Sequence, residues 1–209
     1  MLTGRRTAIG LLAAAVIGVG VVSGPATAAS KPSDPTPTAV GRGGAVATVD
    51  PDASRVARDV LRRGGNAVDA AVAAAATLGV TEPYSAGIGG GGFFVYYDAK
   101  HRAVHTIDGR EAAPAAMRSD SFAPGGVAIP FADAVTSGLS VGVPGTLATW
   151  QSALSSWGSL SLRQALQPAI DVAQHGFVVD PTFRQQTADN AARFADFPAT
   201  RQLFLSGGA

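Results

Sequence analysis

The chain contains no cysteine. That absence removes disulfides, thiolate nucleophiles, cysteine-held metals and a lipoprotein anchor together. Histidine is scarce. His101, His105 and His175 are the only three, and their spacing matches no zinc-ligand pattern. Charged residues make up only 15% of the chain, and the formal net charge is +1. Arg5 and Arg6 are two of the 16 basic residues and residues 1–28 hold no acid, so the remainder carries 14 basic against 15 acidic side chains. No basic patch stands out, which argues against nucleic acid as a partner. There is no G-x-S-x-G elbow, and Ser85, Ser137 and Ser140 have no identifiable base nearby. The residues by themselves name no acyl-transfer nucleophile.

What is present is apolar and small. Hydrophobic residues make up 46% of 209 residues, enough for one sizeable core. The 26 glycines and 13 prolines follow no period, so the chain is neither collagen-like nor a disordered tract. Low charge with abundant alanine predicts closely packed, largely buried helices.

Residues 1–28 read as a secretory leader. Arg5-Arg6 opens it, Ile9 to Val22 is apolar, and Ala26-Thr27-Ala28 gives a small-x-small cleavage pattern. The apolar run is short of the roughly 20 residues a bilayer span needs, and Gly24-Pro25 interrupts it. Export with cleavage is therefore expected, by the general secretory route. The flanks of Arg5-Arg6 fit a twin-arginine signal poorly. Residues 29–42 form a Pro/Ser/Thr-rich linker.

Further on, Gly43 to Val49 reads as a short strand. Asp50 or Asp52 caps a helix with Ala53, Val56, Ala57, Val60 and Leu61 on one face. Asn66 caps a second, almost wholly apolar helix over Ala67 to Leu78, which Gly79 ends. Asp69 in its first turn suits the helix dipole. Phe93 to Tyr97 and Ala103 to Ile107 read as an antiparallel hairpin. Residues 120–134 read as an irregular surface excursion and Leu139 to Val143 as a third strand. A helix starts at Pro144-Gly145-Thr146. Ser161 caps another, which Pro168 is expected to kink or restart. Asp180-Pro181 opens a helix with Phe183, Thr187, Ala191 and Phe194 on one face. The last helix, near Arg201 to Leu205, shows its apolar residues late and has nothing after it to pack against. Three strands are few for so many apolar helices. Residues 43–209 are therefore expected to be the N-terminal portion of a longer protein.

The chemistry concentrates between Glu82 and Pro114. Gly87, Gly89 and Gly92 spell G-x-G-x-x-G, but a dinucleotide loop must follow a strand and open a helix. Here a helix precedes the glycines and a strand follows them. The glycines instead predict positive φ or close backbone approach. Asp108-Gly109-Arg110-Glu111 ends the second strand, where turns present side chains to a site. Arg110 offers a planar fork suited to a carboxylate. A structural ion pair with Glu111 or Asp108 is the alternative, and residue types alone leave both open.

Three long stretches carry a resemblance. GGNAVDAAVAAAATLGVTEPYSAGIGGGGFFVYY at 64–97, IDGREAAP at 107–114 and TSGLSVGVPGT at 136–146 closely resemble γ-glutamyltransferases, also called glutathione hydrolases. LQPAIDVAQHGFVV at 166–179 fits the same family. The resemblance implies an α+β N-terminal-nucleophile hydrolase fold, a four-layer αββα sandwich, of which this chain supplies the N-terminal part. It implies a precursor that cleaves itself into large and small subunits. The nucleophile would be the small subunit's N-terminal threonine, beyond Ala209, with its own α-amine as base. No metal or organic cofactor is implied. Glutathione or another γ-glutamyl amide would be the donor, and water, an amino acid or a peptide the acceptor. Arg110 would bind the donor's α-carboxylate, with Asp108 and Glu111 positioning it. A cephalosporin-type acylase is the rival within the fold. A non-catalytic secreted scaffold is the rival outside it.

Overall fold

The computed structural model describes residues 40–205. The expected leader over 1–28, the linker up to residue 39 and the closing residues 206–209 lie outside the described residues. Four helix starts follow from local capping. Asp50 caps α1 (Pro51–Arg62) by accepting from the Ala53 N–H at 2.8 Å. Asn66 and Asp69 form a reciprocal capping box on α2 (Ala67–Thr81). Ser161 and Gln164 do the same for α6 (Leu162–His175), and Asp180 caps α7 (Pro181–Asp189). Each side chain satisfies backbone donors that a helix N-terminus leaves unpaired.

The core is built around α2. Its small, apolar surface buries residues in both directions. Ala70, Ala73 and Ala74 meet Val56, Ala57 and Val60 of α1. Val68, Val72 and Ala76 meet Trp150, Ala153 and Leu154 of α5 (Thr146–Trp157) and Ala165 and Ala169 of α6. Strands β1 (Phe93–Asp98) and β2 (Ala103–Asp108) form an antiparallel hairpin with Phe94 opposite Ile107 and Tyr96 opposite His105. Phe94, Tyr96 and Ile107 point into the helical layer. The other face carries Phe93, Val95, Tyr97 and Val104, all exposed. The expected helical layer on a sheet is therefore present, with one sheet face uncovered among the described residues.

Several local expectations change. Gly43 to Val49 forms no strand. Gly43 has φ +91°, and Val46 packs on the α1–α2 core instead of joining a ladder. Gly79 does not end α2, which runs to Thr81. A Cβ at Gly79 would lie 3.2 Å from the Ala86 carbonyl oxygen, so this glycine makes room for the short helix α3 (Pro83–Ala86). Pro168 does not restart α6, which runs through it from Leu162 to His175. Its missing N–H costs one rung, while Ala165, Ala169 and Val172 anchor both halves in the interior. Leu139 to Val143 is a 3₁₀ turn at Gly138–Ser140 followed by a single bridge, Val143 to Ala112. A short helix, α4 (Phe131–Val135), occupies the expected excursion.

The C-terminal part does find packing partners. α8 (Ala191–Ala195) and α9 (Pro198–Phe204) follow α7. Phe183, Phe194 and Phe204 surround Tyr84 at centroid distances of 5.3, 5.9 and 6.0 Å. The Tyr84 hydroxyl lies 2.7 Å from Thr187 Oγ1. The last helix packs back on earlier elements through Phe204, while Leu203 stays exposed. Among the described residues, no helix is long and apolar enough to cross a membrane.

Glu82, buried between α2 and α3, gives a pH prediction. Burial, then the carboxylates of Asp180 and Asp50, push its pKa above the ordinary 4.5. The folded state therefore holds this proton more tightly than the unfolded chain. The stability this contributes is complete below the ordinary pKa and is lost as pH rises toward the raised one. Glu82→Gln should be more stable than the parent at neutral pH. The advantage should shrink toward zero in acid, below the ordinary value. Denaturant titrations at the two pH values check this, and equal gaps at both would contradict it.

Candidate functional site

The candidate site grows from the glycines that join α3, the hairpin and α5. None of Gly87, Gly89, Gly90, Gly91 or Gly92 has positive φ. Of the two expected reasons for glycine, close approach is the operative one. A Cβ on Gly91 would overlap the Gly109 carbonyl oxygen and lie 2.8 Å from the Glu111 nitrogen. A Cβ on Gly145 would overlap the same carbonyl from the other side. The Gly92 N–H donates to Gly109 O at 3.1 Å, and the Gly109 N–H returns a bond to Gly92 O at 2.9 Å. The Gly90 carbonyl accepts from the N–H groups of Gly145 and Thr146, which caps α5 where no side chain does. The backbone at the end of β2 is thus clamped between the glycine loop and the start of α5.

This makes a paired stability prediction. Gly91→Ala overpacks a backbone-to-backbone contact that cannot yield cheaply, at a cost of about 1–3 kcal/mol. Gly89 has open space around its Cβ position and an ordinary φ, so Gly89→Ala should stay within about 0.5 kcal/mol of the parent. Thermal melts of the two variants check the contrast. Equal losses would mean that close approach is not what these glycines provide.

From that clamp Arg110 projects outward. Its side chain is 65% exposed. Arg110 Nε forms the ion pair with Glu111 Oε2, at 3.6 Å, that residue types had left open, while the guanidinium makes no hydrogen bond to any described residue. Asp108 accepts from the Arg110 backbone N–H at 3.0 Å, not from the fork. Glu111 is set between two glycines. A Cβ on Gly142 would come 2.8 Å from the Glu111 Cβ, and one on Gly90 would come 3.2 Å from Oε1. The bridge between Ala112 and Val143 holds the following segment.

Arg110, Glu111, Ala112 and Gly142 line an open groove of about 480 Å³, and Asp108 is not among its lining residues. Arg110 and Glu111 form one wall, while Met117, Phe122, Leu139 and Val141 supply apolar surface. Residue types had singled out Arg110, Asp108 and Glu111. The apolar wall was missed, because Met117 and Phe122 lie in a stretch without periodicity and the alternation of Leu139 and Val141 read as a strand. The histidines lie elsewhere. His101 pairs with Asp98 at 2.6 Å in the hairpin turn. His105 faces Tyr96 and Trp157. His175 Nδ1 donates to the Asp171 carbonyl at 2.7 Å. Ser137 and Ser140 both donate their hydroxyls to the Ala134 carbonyl.

A family profile described as gamma-glutamyltranspeptidase matches residues 53–209. The chain belongs to the gamma-glutamyltranspeptidase family. The glutathione hydrolase proenzyme of Bacillus subtilis (strain 168) is 45% identical over 170 residues, covering 81% of this chain and 29% of that protein. The acylase ACY 1 proenzyme of Pseudomonas sp. (strain V22) is 39% identical over 176 residues, covering 81% of this chain and 31% of that one. The crystal structure of Helicobacter pylori gamma-glutamyltranspeptidase superposes with a TM-score of 0.74 at 32% identity, over 79% of this chain and 47% of that chain. The chain thus spans less than a third of the length of these two curated relatives. The likeness to the Helicobacter pylori structure and to the gamma-glutamyltranspeptidase of Pseudomonas nitroreducens, at a TM-score of 0.73 and 36% identity over 80% of this chain and 49% of that chain, fits the α+β N-terminal-nucleophile hydrolase class expected from the resemblance. The described residues hold helices and one hairpin of it.

Proposed function

We propose that this chain supplies the donor-carboxylate arm of a γ-glutamyl hydrolase or transferase. In this reading Arg110 holds the α-carboxylate of glutathione or another γ-glutamyl amide. Asp108 fixes its backbone and Glu111 its approach. The observation that carries the reading is the Arg110 guanidinium, which opens on the groove with its hydrogen-bonding capacity unspent. A bidentate arginine–carboxylate pair would use it. The rest of the site belongs to a longer precursor that cleaves itself and whose small subunit opens with the nucleophilic threonine. That hydroxyl attacks the γ-amide carbonyl, the leaving amine departs protonated, and the acyl-enzyme passes to water or to an amino-acid or peptide acceptor.

Support for a longer partner comes from the uncovered apolar hairpin face of Phe93, Val95, Tyr97 and Val104. We further propose that residues 1–28 direct export with cleavage, that 29–42 is a linker, and that 43–209 belongs to the large subunit.

An arginine reads the carboxylate that γ-glutamyl and glutaryl groups share. It cannot by itself separate a transpeptidase from a glutaryl acylase. Only the amine differs between the two acyl groups, so a substrate pair decides. The complete precursor should release aniline from γ-glutamyl anilide much faster than from glutaryl anilide. Preference for the glutaryl compound would overturn the reading in favour of an acylase. Inertness toward both would favour a scaffold.

A further inference from the structure

Thr149 is a buried polar side chain packed against the turn that carries Arg110. It lies in the first turn of α5 and is 7% exposed. Its hydroxyl oxygen is buried and has no hydrogen-bond partner among the described residues. A helical threonine ordinarily returns that bond to the carbonyl four residues back. Here the Gly145 carbonyl takes only the Thr149 N–H, at 2.9 Å. The hydroxyl instead occupies the space where a Cβ of Gly109 would stand, and the Thr149 Cβ lies 3.0 Å from that same point.

We infer that Thr149 is a positioning residue for Arg110, acting through Gly109. The inference rests on Arg110 being the donor-carboxylate group. Gly91 and Gly145 clamp the Gly109 carbonyl from two sides, and Thr149 fills the third direction against its Cα. The peptide that starts Arg110 is therefore held by packing from Gly91, Gly145 and Thr149, and the long side chains that leave the turn, Arg110 and Glu111, both line the groove. A hydroxyl oxygen is smaller than a methyl group. It allows a closer approach than valine or isoleucine would, and the arrangement keeps it there despite the lost hydrogen bond.

Thr149→Val in the complete, processed enzyme tests this. The added methyl volume pushes the turn outward, while the unpartnered buried hydroxyl disappears. Donor KM should rise about ten-fold or more, because sub-ångström misplacement of a binding group is costly. kcat should change less than KM, and the melting temperature should hold or rise. Thr149→Ser keeps the hydroxyl and should restore the parental KM. A purely structural threonine would move stability and leave donor KM alone.

Arg110→Ala is measured alongside. If it raises donor KM and Thr149→Val does not, the Thr149 inference fails alone. If neither moves KM, the Arg110 reading fails and takes this one with it. Should Thr149→Val fail to accumulate, the reciprocal pair decides. Gly109→Ala should lose activity, and Gly109→Ala with Thr149→Gly, which removes both the hydroxyl and the Cβ that the new methyl would meet, should recover part of it. No recovery would overturn the inference.

Discussion

Asp69→Ala is expected to remove much of the chain's stability. The Asp69 carboxylate is fully buried and serves two places at once. On its own helix it accepts from the Asn66 N–H at 2.8 Å, closing the capping box. From the turn between α5 and α6 it accepts the Ser159 N–H at 2.8 Å, the Ser159 hydroxyl at 2.5 Å and the Leu160 N–H at 3.0 Å. Gly158 permits this approach, since a Cβ there would stand 2.9 Å from Asp69 Oδ1. Removing the carboxylate leaves these partly buried donors without their acceptor. Each that stays dry costs about 1–3 kcal/mol, against a total of roughly 5–15 kcal/mol for a domain. Asp69→Asn keeps the shape but turns an amide NH₂ toward donors, so it should recover only part of the loss. Burial raises the Asp69 pKa, but the Ser159 hydroxyl and the N–H groups of Asn66, Leu160 and Ser159 outweigh it and hold the pKa below 3.8. This stability is therefore present above the ordinary carboxylate pKa and drains away as pH falls through the lowered one. Glu82 has the opposite sign. Denaturant titration of Asp69→Ala beside the parent checks the prediction, and a loss below about 1 kcal/mol would contradict the network's role.

The second large effect belongs to Arg110. Under the proposed function, Arg110→Ala in the complete enzyme leaves the donor carboxylate without its fork. Truncating one partner of a hydrogen-bonded charge pair costs about 2–5 kcal/mol, so kcat/KM should fall at least roughly 30-fold. Arg110→Lys should recover little, because a point charge cannot replace two parallel donors. The fold should be nearly untouched, since the guanidinium contributes only a 3.6 Å approach to Glu111 and is largely exposed. Loss of activity with an unchanged melting temperature separates a binding role from a structural one.

The parts of this fold that could be read from the sequence are those whose causes are local. Asp50, Asn66, Ser161 and Asp180 announce helix starts because a cap and its donors lie within three residues. The hairpin was legible because alternation from Phe93 to Tyr97 fits a strand with one buried face. Leu139 to Val143 was misread because its alternating apolar residues have only Ala112 to pair with, and a strand without a ladder is not a strand. Asp69 was visible only as an acid suited to a helix dipole. Its main partners lie some 90 residues away. Likewise, Gly91, Gly109 and Gly145 are scattered in sequence and meet only in the fold. Arg110 stood out as a candidate, yet residue types alone could not separate a ligand from an ion pair. The resemblance suggested its role. The geometry adds that neither Asp108 nor Glu111 holds its fork in a hydrogen bond.

The central claim is that Arg110 binds a carboxylate, and one substrate cycle tests it most directly. The complete enzyme and its Arg110→Ala variant are each assayed with γ-glutamyl anilide and with the analogue whose α-carboxylate is a carboxamide. The parent should prefer the carboxylate by roughly 30-fold or more in kcat/KM, the worth of a charged bidentate contact. Arg110→Ala should lose that preference while handling the carboxamide about as well as the parent does. An equal drop on both substrates, with the preference intact, would show that Arg110 does not touch the carboxylate.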